Sequence, residues 1–427
     1  MGEKLRIAII GLGSRGKNAY GTELLTLQER AVVTAVADPN EERLKIGADE
    51  HNVPEEFRFH SAEELLAQPK LADAVLICTQ DRQHTGHAIM ALQKGYDVMM
   101  EKPISPDLSD LKEIVRAARQ ANRKVVVCHV LRYTPFFQAI KQTIDSGKLG
   151  KIINIQALEN VRYWHQAHSF VRGNWHRAED SSPMILAKCC HDLDYLIWLC
   201  SSRVERVSSF GSLMFFKPEN APKGAAARCM DGCLARDKCP YDAEKIYITN
   251  SKTGVLTGLK EWPLDVLSED PTEESIRDAI KNGPYGACVF ACDNDVVDNQ
   301  TVNLQMENGA VLNLMMSAFT SNGGRTIKVM GTLGDLWADM DLNKIRICEF
   351  GKEPEIINLG DEGEDFVGHG GGDRGLVIAF LDYLEGKDAG NTITTLETSV
   401  ESHLAALAAE ESRLHGGMPV EIAPLRG

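Results

Sequence analysis

The sequence predicts an α/β protein in which an N-terminal doubly wound parallel sheet is followed by a C-terminal α+β domain with a large, mostly antiparallel, open-faced sheet. Three observations support this. Short apolar runs alternate with helical segments over residues 5–130, as in parallel sheets. Beyond residue 150, strand-like runs follow one another with few helices between them, which is typical of antiparallel sheets. A chain of 427 residues is also too long for one ordinary core.

Six strands are predicted in the first half of the chain. Helices are predicted between the strands, and Gly95 is expected to end the helix over Gln83–Lys94. Because ligands of open α/β sheets bind beyond the carboxyl ends of strands, we expect the functional residues at those ends. The predicted strands are Lys4–Ile10, Val32–Ala37, a short one near Phe57, Ala72–Cys78, Tyr96–Met100 and Lys124–His129. The predicted helices include Glu41–Asp49, Ala62–Ala67, Gln83–Lys94 and Ser109–Asn122.

The second half has a different pattern. We expect domains over residues 1–130 and 131–427, an insertion rich in Pro, Gly and charge over about 214–287, and a last helix over 395–415. An open-faced sheet in the second domain predicts a homodimer or homotetramer. The predicted strands here are Lys151–Arg162, Val204–Leu213, Gln300–Met306, Ala310–Phe319, Arg325–Met330 and Ile345–Glu349.

The composition excludes several classes of partner. A formal net charge of −15 argues against nucleic acid or an anionic membrane surface. No run of 18 apolar residues is present, and the N-terminus lacks a basic-then-apolar signal pattern, so we expect a cytoplasmic protein. Eleven cysteines in such a protein are better explained as thiols or metal ligands than as a disulfide framework.

A glycine-rich motif, Gly11-Leu12-Gly13-Ser14-Arg15-Gly16, follows the first predicted strand. Between a strand and a helix, this pattern is typical of Rossmann dinucleotide-binding domains. The glycines there allow a tight turn, close approach of a pyrophosphate, and close packing of helix on strand. We therefore expect this loop, including Leu12, Ser14 and Arg15, to hold the cofactor phosphates at a helix N-terminus.

Asp38 directly follows the second predicted strand and lies 22 residues after Gly16, close to the spacing of about 20 expected for a ribose-binding acid. A carboxylate at this position accepts hydrogen bonds from the adenosine ribose and repels a 2′-phosphate. NAD is therefore expected in preference to NADP, although two cations, Arg15 and Arg43, lie nearby in the sequence. The alternative is a glycine-rich turn in another kind of α/β protein.

Glu101-Lys102-Pro103 follows the fifth predicted strand. The strand would deliver Lys102 to the cofactor edge of the sheet, and Pro103 restricts the backbone of that lysine. An ammonium beside a nicotinamide can hydrogen-bond a substrate hydroxyl and favour its alkoxide as hydride leaves carbon. The alternative is a surface lysine paired with Glu101.

Several motifs in order make the sequence recognisable: Gly11–Gly16, Asp38, Thr79 with His84, Glu101-Lys102-Pro103, Arg132-Tyr133-x-Pro135 and Gly147-Lys148-Leu149-Gly150. Together they resemble the family of glucose–fructose oxidoreductase, inositol dehydrogenase and rhizopine-catabolism proteins (Gfo/Idh/MocA). The resemblance covers nearly the whole chain. It implies a two-domain, nicotinamide-dependent enzyme acting on a secondary alcohol of a sugar or cyclitol, with Thr79, His84 and Glu101 at the cofactor.

In this family the lysine of Glu-Lys-Pro and a histidine of the second domain flank the reacting carbon. The resemblance places His191 at the histidine position, as proton acceptor, and Asp194 at the acid three residues later, among the substrate residues. The aspartate usually found four residues before the histidine is replaced by Ala187, followed by Lys188. From the residues alone, an imidazole suits proton transfer near neutral pH; a structural histidine is the alternative.

The run from Tyr163 to Arg177 is dense in aromatic, polar and cationic side chains. Sugar sites combine such groups. We expect Arg172, Trp175 and His176 to line the substrate pocket, and Arg172 can receive an anionic substituent. The alternative is a polar loop with buried aromatic residues.

Three cysteines, Cys229, Cys233 and Cys239, lie close together in the insertion. Thiolates at short spacing suit tetrahedral zinc if a fourth ligand is available. Cys288 or Cys292 can provide it, and such a closed site would stabilise the insertion and not catalyse. The alternative is a set of free thiols.

Taken together, the motifs predict an NAD-dependent oxidoreductase that transfers hydride between the nicotinamide and a secondary hydroxyl of a sugar, cyclitol or glycoside. An alternative comes from relatives that hydrolyse glycosides with tightly held NAD: oxidation at C3 acidifies the C2 proton, the aglycone is eliminated from C1, water adds, and the ketone is reduced again. A third hypothesis is a non-catalytic NAD-binding sensor, and retention of Lys102 and His191 argues against it.

Overall fold

The computed structural model describes residues 3–360, 369–388 and 390–426, and its N-terminal part is a six-stranded parallel sheet. The strands are β1 (Leu5–Ile10), β2 (Ala31–Ala37), β3 (Arg58–Phe59), β4 (Ala74–Ile77), β5 (Asp97–Met100) and β6 (Val125–Val127). Their order is β3-β2-β1-β4-β5-β6, and every pair is parallel. The predicted doubly wound sheet is therefore confirmed, with its topological switch point between β1 and β4.

Helices cover this sheet. A π-helical segment, Ser14–Gly21, follows the glycine motif and runs into the first α-helix. Side chains at two later helix starts, Asn40 and Ser61, accept hydrogen bonds from backbone N–H groups three residues on, at 2.9 and 3.1 Å, which satisfies otherwise unpaired donors. The helices are α1 (Thr22–Thr26), α2 (Glu41–Glu50), α3 (Ala62–Ala67), α4 (His84–Gln93), α5 (Leu108–Ala121) and α6 (Pro135–Asp145).

A nine-stranded sheet follows. Its strands are β7 (Ile152–Arg162), β8 (Val204–Ser212), β9 (Asn299–Met306), β10 (Val311–Thr320), β11 (Arg325–Gly331), β12 (Gly334–Asp339), β13 (Lys344–Glu349), β14 (Glu355–Asn358) and β15 (Val420–Glu421). They lie in the order β14-β13-β12-β11-β7-β10-β9-β8-β15. Only β7 and β10 pair in parallel among these strands, which confirms the predicted, mostly antiparallel second sheet.

One face of the nine-stranded sheet packs on helices. Leu193 of one helix and Leu404 of another join Ile155 and Leu314 of the sheet in a single buried cluster. Along β7 and β10, buried and more exposed residues alternate, so the second face of the sheet is open. The remaining helices are α7 (Tyr163–His165), α8 (Met184–Ala187), α9 (Cys190–Cys200), α10 (Glu273–Asn282), α11 (Gly372–Leu384), α12 (Leu396–Leu414) and α13 (Ala423–Arg426).

The chain around Lys188 forms two helices with a break between them. Helix α8 ends at Ala187 and α9 begins at Cys190. At the break, the carbonyl oxygen of Ala187 accepts a hydrogen bond from Lys102 Nζ at 3.0 Å. The last long helix has the predicted position, but β15 and α13 follow it.

The insertion shares a third buried cluster with the segment that follows β7. Tyr247, Ile276 and Ile280 are buried there in one cluster with Trp164 and Val171, which precede β8. Later in the chain, α11 packs on the parallel sheet instead. Leu376 and Phe380 of that helix share a cluster with β1. The domain boundary at residue 130 stays a prediction.

Among the described residues, no helix combines the length and the apolar character needed to cross a bilayer.

Candidate active site

A cleft of about 330 Å³ lies at the carboxyl ends of β1, β4 and β5, where an open α/β sheet binds its ligand. Three parts of the chain border it. The parallel sheet provides Leu12–Arg15, Cys78–Asp81 and Glu101–Lys102; the second domain provides segments around Phe170 and His191; and the insertion provides residues between Trp262 and Tyr285.

The glycine loop at one end of the cleft is shaped for a close ligand. Gly11 has φ +90°, and a Cβ added there would lie 2.5 Å from the carbonyl oxygen of Cys78. A Cβ at Gly16 would lie 1.9 Å from the carbonyl oxygen of Gly11. At Gly13, by contrast, an added Cβ would meet nothing within 4 Å. The first and last glycines therefore serve packing, and the middle one leaves open the space that a pyrophosphate would need.

Asp38 lies behind this loop and is not among the residues that line the cleft. Its Oδ2 accepts a hydrogen bond from the backbone N–H of Leu12 at 2.6 Å, and its Oδ1 accepts one from Asn40 at 2.8 Å. The side chain is 6% exposed. Each oxygen accepts one backbone N–H and keeps further acceptor capacity, so the contact with the adenosine ribose stays a prediction.

Arg15 lines the cleft, but carboxylates already surround its guanidinium. Its Nε donates to Glu101 Oε1 at 2.7 Å, and Nη2 lies 2.5 Å from Asp373 Oδ1 at the start of α11. Tyr20 also donates to Glu101, at 2.5 Å. Burial alone would raise the pKa of Glu101, but Arg15 and Lys102 outweigh it and lower that pKa. Glu101 therefore stays ionised and joins the glycine loop to the Glu-Lys-Pro turn.

Thr79 and His84 both line the cleft near the end of β4. The ring of His84 is 1% exposed. Its Nδ1 lies 2.7 Å from the carbonyl oxygen of Pro103, and its Nε2 lies 3.0 Å from that of Thr79. His84 thus ties the end of β4 to the turn that carries Lys102.

Lys102 and His191 are brought to the same cleft, as predicted. The helix break at Lys188 positions both. It leaves the Ala187 carbonyl oxygen to hold Lys102 Nζ at 3.0 Å, and it starts α9 so that His191 lies in its first turn. The rings of the buried His129 and His191 pack edge to face, with ring centroids 5.7 Å apart. Two proton-transfer groups from different domains therefore border one space.

A second lysine, Lys188, lines the cleft and was not predicted as a site residue. Its Nζ lies 3.3 Å from Glu159 Oε1, and Arg325 Nε lies 2.7 Å from the other oxygen of that carboxylate. Arg325 also lies 3.0 Å from Asp192 Oδ1. Burial and the cation of Arg325 lower the pKa of Lys188, although Glu159 opposes them. The sequence signal was the change at Ala187-Lys188; nothing in the sequence pointed to Arg325.

The run from Tyr163 to Arg177, here called the aromatic loop, contributes only some of its side chains to the cleft. Trp175 lines the cleft as predicted, and its Nε1 donates to Asp81 Oδ1 at 3.0 Å. His176 does not line it: its ring nitrogens lie 2.6 Å from the carbonyl oxygen of Gly173 and 3.4 Å from Asp293 Oδ1.

Arg172 is directed into the insertion instead of the cleft. Its Nε donates to the carbonyl oxygen of Ala287 at 2.7 Å, and its Nη2 donates to that of Tyr241 at 2.7 Å. The predicted substrate contact is corrected for Arg172 and His176, because neither lines the cleft.

Asp194 is also placed away from the cleft. Both of its carboxylate oxygens accept hydrogen bonds from Arg132, at 2.6 Å each. The Asp194 side chain is 1% exposed. The predicted role among the substrate residues is therefore corrected to a buried, bidentate ion pair that joins α9 to the segment after β6.

The cysteines of the insertion lie close together, but not in the arrangement of a metal site. Cys229, Cys233, Cys239 and Cys288 do line one small cavity of about 20 Å³ beside Arg172. In the described part of the chain, however, no group of three or more His, Cys, Asp or Glu side chains has the arrangement of a metal site. All eleven cysteines are free thiols, and burial raises the pKa of Cys229 and Cys239. The zinc prediction is not supported.

Side chains of the insertion complete the cleft. This contribution was not predicted, because no local sequence pattern indicates that the insertion packs there. Trp262 packs its ring against His165 with centroids 4.8 Å apart. Tyr285 stacks on His168, also with centroids 4.8 Å apart, and burial lowers the pKa of His168 to about 3. Asp265 and Glu269 also line the cleft, beside Asn18 and Lys17, which follow the glycine loop.

An open glycine loop at the switch point of a parallel sheet is what a dinucleotide requires, and acid–base side chains farther along the cleft are what hydride transfer to or from an alcohol requires. The fold and site define the class of dinucleotide-dependent oxidoreductases. Within that class, the chain belongs to the Gfo/Idh/MocA family. The model of its NAD-binding Rossmann domain matches residues 5–129, and the model of its C-terminal alpha/beta domain matches residues 141–422.

Individual relatives are more distant. The YteT protein of Bacillus subtilis (strain 168) is 25% identical over 406 residues, which cover 90% of this chain and 89% of that protein. An inositol 2-dehydrogenase of Corynebacterium glutamicum (strain R) is 26% identical over 208 residues, which cover 48% of this chain and 57% of the dehydrogenase.

Solved structures share the fold at low sequence identity. Levoglucosan dehydrogenase in complex with NADH and levoglucosan is 15% identical, with a TM-score of 0.71 over 99% of this chain and 100% of that chain. The WlbA dehydrogenase of Chromobacterium violaceum, in complex with NADH and UDP-GlcNAcA, is 18% identical, with a TM-score of 0.67 over 99% of this chain and 96% of that chain.

Proposed function

We propose that the protein is an NAD-dependent oxidoreductase that transfers hydride between the nicotinamide and a secondary hydroxyl of a sugar, cyclitol or glycoside. The observation that carries the proposal is that Lys102 and His191, from different domains, line the same cleft as the open glycine loop at Gly13. The cofactor, when bound, supplies the hydride acceptor or donor.

Two side chains of the cleft bind the substrate hydroxyl and transfer its proton. Lys102, held by the Ala187 carbonyl, has further N–H donors for a substrate hydroxyl oxygen and favours its alkoxide character. His191 accepts the hydroxyl proton during oxidation and returns it during reduction. His191 is buried and Lys102 is partly buried, and electrostatic interactions of such groups are stronger than in water.

The walls of the cleft support a carbohydrate substrate. Phe170, Trp175 and Trp262 provide aromatic surface, and Asn174 and Lys188 provide polar groups beside it. Aromatic faces with a few directed polar groups suit the mixed apolar and hydroxylated faces of a sugar ring. The names of two similar proteins, inositol 2-dehydrogenase and levoglucosan dehydrogenase, indicate that those proteins act on molecules of this kind.

Redox-neutral glycoside cleavage is the second candidate, and the insertion favours it. Its Glu269 forms ion pairs with Lys17 and Arg43 on the parallel-sheet domain, beside the glycine loop. Contacts that bridge the cofactor end of the cleft slow release of a bound dinucleotide, and a retained cofactor is what oxidation followed by re-reduction needs.

The test uses protein purified without added cofactor. We would denature one portion and assay released NAD(H), then test the native protein on a panel of sugars, cyclitols and aryl glycosides for NADH formation and aglycone release. NADH that accumulates with a free sugar supports the dehydrogenase. Retained cofactor with aglycone release and no NADH supports the glycoside cleavage. Binding without any turnover would favour a sensor and contradict both.

We also propose that the open face of the nine-stranded sheet joins two copies of the chain in a dimer or tetramer, in the cytoplasm. Large apolar side chains are exposed on this sheet, among them Ile153 on β7, Met315 on β10 and Trp337 on β12, at 42, 44 and 37% exposure. Large apolar side chains exposed on an open sheet face support an interaction surface there.

Replacing Met315 with Glu is expected to shift the protein toward monomer, because a charge would be buried without a partner in an apolar interface. Light scattering after size exclusion would measure the mass of wild type and variant. Leu256→Glu, at an exposed apolar residue of the insertion, is the matched control and should keep the wild-type mass. A monomeric wild type would overturn the proposal.

A further inference from the structure

The insertion places two carboxylates at the cofactor end of the cleft. Glu269 accepts from Arg43 Nε at 2.5 Å and from Lys17 Nζ at 3.4 Å. Asp265 Oδ2 accepts from Asn18 Nδ2 at 2.8 Å. All five side chains line the same cleft as Gly13. The insertion is therefore part of the dinucleotide site and not a separate appendage.

The position of Arg43 makes these contacts significant. It lies in the first turn of α2, directly after β2, and in dinucleotide-binding sheets this is where an acid meets the ribose 2′-hydroxyl or an arginine accommodates a 2′-phosphate. Asp38, the expected acid, has both oxygens engaged by backbone N–H groups of Leu12 and Asn40. At the surface of the cleft, the cation of Arg43 faces Glu269 instead.

Charges at this end of the cleft are balanced. Lys17 and Arg43 carry two positive charges, and Asp265 and Glu269 carry two negative ones. One Asp265 oxygen, Oδ1, is buried and accepts no hydrogen bond from the described residues, so a hydroxyl donor would be accepted there. A phosphate dianion would have to displace Glu269 from both cations and remain close to two carboxylates.

We propose that Glu269, supplied by the insertion, is the residue that makes the site prefer NAD to NADP. It occupies the two cations that would bind a 2′-phosphate and leaves negative charge facing that position. Asp38 acts behind it as a positioning residue that holds the glycine loop. This inference rests on the proposed use of a nicotinamide dinucleotide and assigns the choice between its two forms.

The test is Glu269→Gln, which keeps the size of the side chain and removes its charge. We would measure Kd values for NAD+ and NADP+ by calorimetric titration, with no substrate present. The variant is expected to bind NADP+ about tenfold more tightly than wild type, because like charge is removed from the phosphate position. Its affinity for NAD+ should change much less, so the ratio of the two Kd values moves.

Two further variants sharpen the result. Asp270→Asn changes the next carboxylate, which is 83% exposed and pairs with Lys260, and should leave the ratio of Kd values as in wild type. In the Glu269→Gln, Arg43→Ala double variant the gain for NADP+ should be lost, because the cation that receives the phosphate is absent.

Two outcomes would overturn the inference. One is Glu269→Gln protein that binds NAD+ with an unchanged Kd ratio; the other is an equal loss of affinity for both dinucleotides, which would mean that Glu269 only holds the insertion in place. Failure of the proposed function is a separate result: wild type would then turn over no substrate of the panel, whatever the ratio of its Kd values, or would bind neither dinucleotide.

Discussion

Replacing His191 with alanine is expected to lower kcat by about 10²–10⁴-fold, the usual contribution of a positioned acid–base group. The imidazole lines the cleft at the start of α9, whereas the glycine loop that would hold the cofactor phosphates belongs to the turn after β1. The Kd for NAD+ should therefore stay nearly unchanged. Steady-state kinetics on the substrate identified in the panel and titration with NAD+ would measure both effects.

His176→Ala is the matched control. His176 comes from the same aromatic loop as Trp175 but does not line the cleft, so its removal should leave kcat close to the wild-type value. If His191→Ala keeps its turnover, another group takes the proton, and Lys188, whose pKa burial lowers, would be tested next. A large loss in His176→Ala would instead return that residue to the substrate site.

Replacing Asp194 with alanine is expected to destabilise the folded protein by about 3–5 kcal/mol, the cost of leaving a buried charge without its partner. The Arg132 guanidinium, 5% exposed, would lose both 2.6 Å hydrogen bonds and remain inside the protein. A lower midpoint in urea unfolding and a lower melting temperature would show the effect.

Asp194→Asn keeps the shape of the side chain and allows a measurement if the alanine variant does not accumulate. Its folded fraction should show the wild-type KM, since Asp194 lies outside the cleft. The matched control is Asp107→Ala, which breaks an Asp–Arg pair whose side chains are 56% and 40% exposed and should cost less than about 1 kcal/mol. An unchanged stability of Asp194→Asn with a raised KM would restore the substrate role.

Features that depend on neighbours in the chain were predicted well. The alternation of apolar runs specified the strands of both sheets. The glycine motif specified the turn after β1, since only glycine fits at Gly11 and Gly16, where a Cβ would overlap backbone. Lys102 was predicted because its strand and the following proline determine where it emerges. His191 was predicted from the family pattern and not from its local sequence.

The predictions of substrate contacts were wrong for charged side chains that can bind either a ligand or another part of the protein. Arg172 and Asp194 are charged residues that were predicted to line the substrate pocket. Each meets protein groups instead: carbonyl oxygens of the insertion and Arg132, respectively. Burial of an ionised group requires a partner of this kind, and the partner lies far away in the sequence.

By itself, then, the sequence determined the fold class and the family and predicted that the glycine loop, Lys102 and His191 share one cleft, because strand period, turn glycines and the order of motifs can be read along the chain. Only the tertiary structure decided which charged side chains reach the cleft. The clearest case is Glu269, which lies 226 residues from Arg43 along the chain and 2.5 Å from it in space. No periodicity or spacing encodes such a contact, since it depends on how the insertion packs against the parallel sheet.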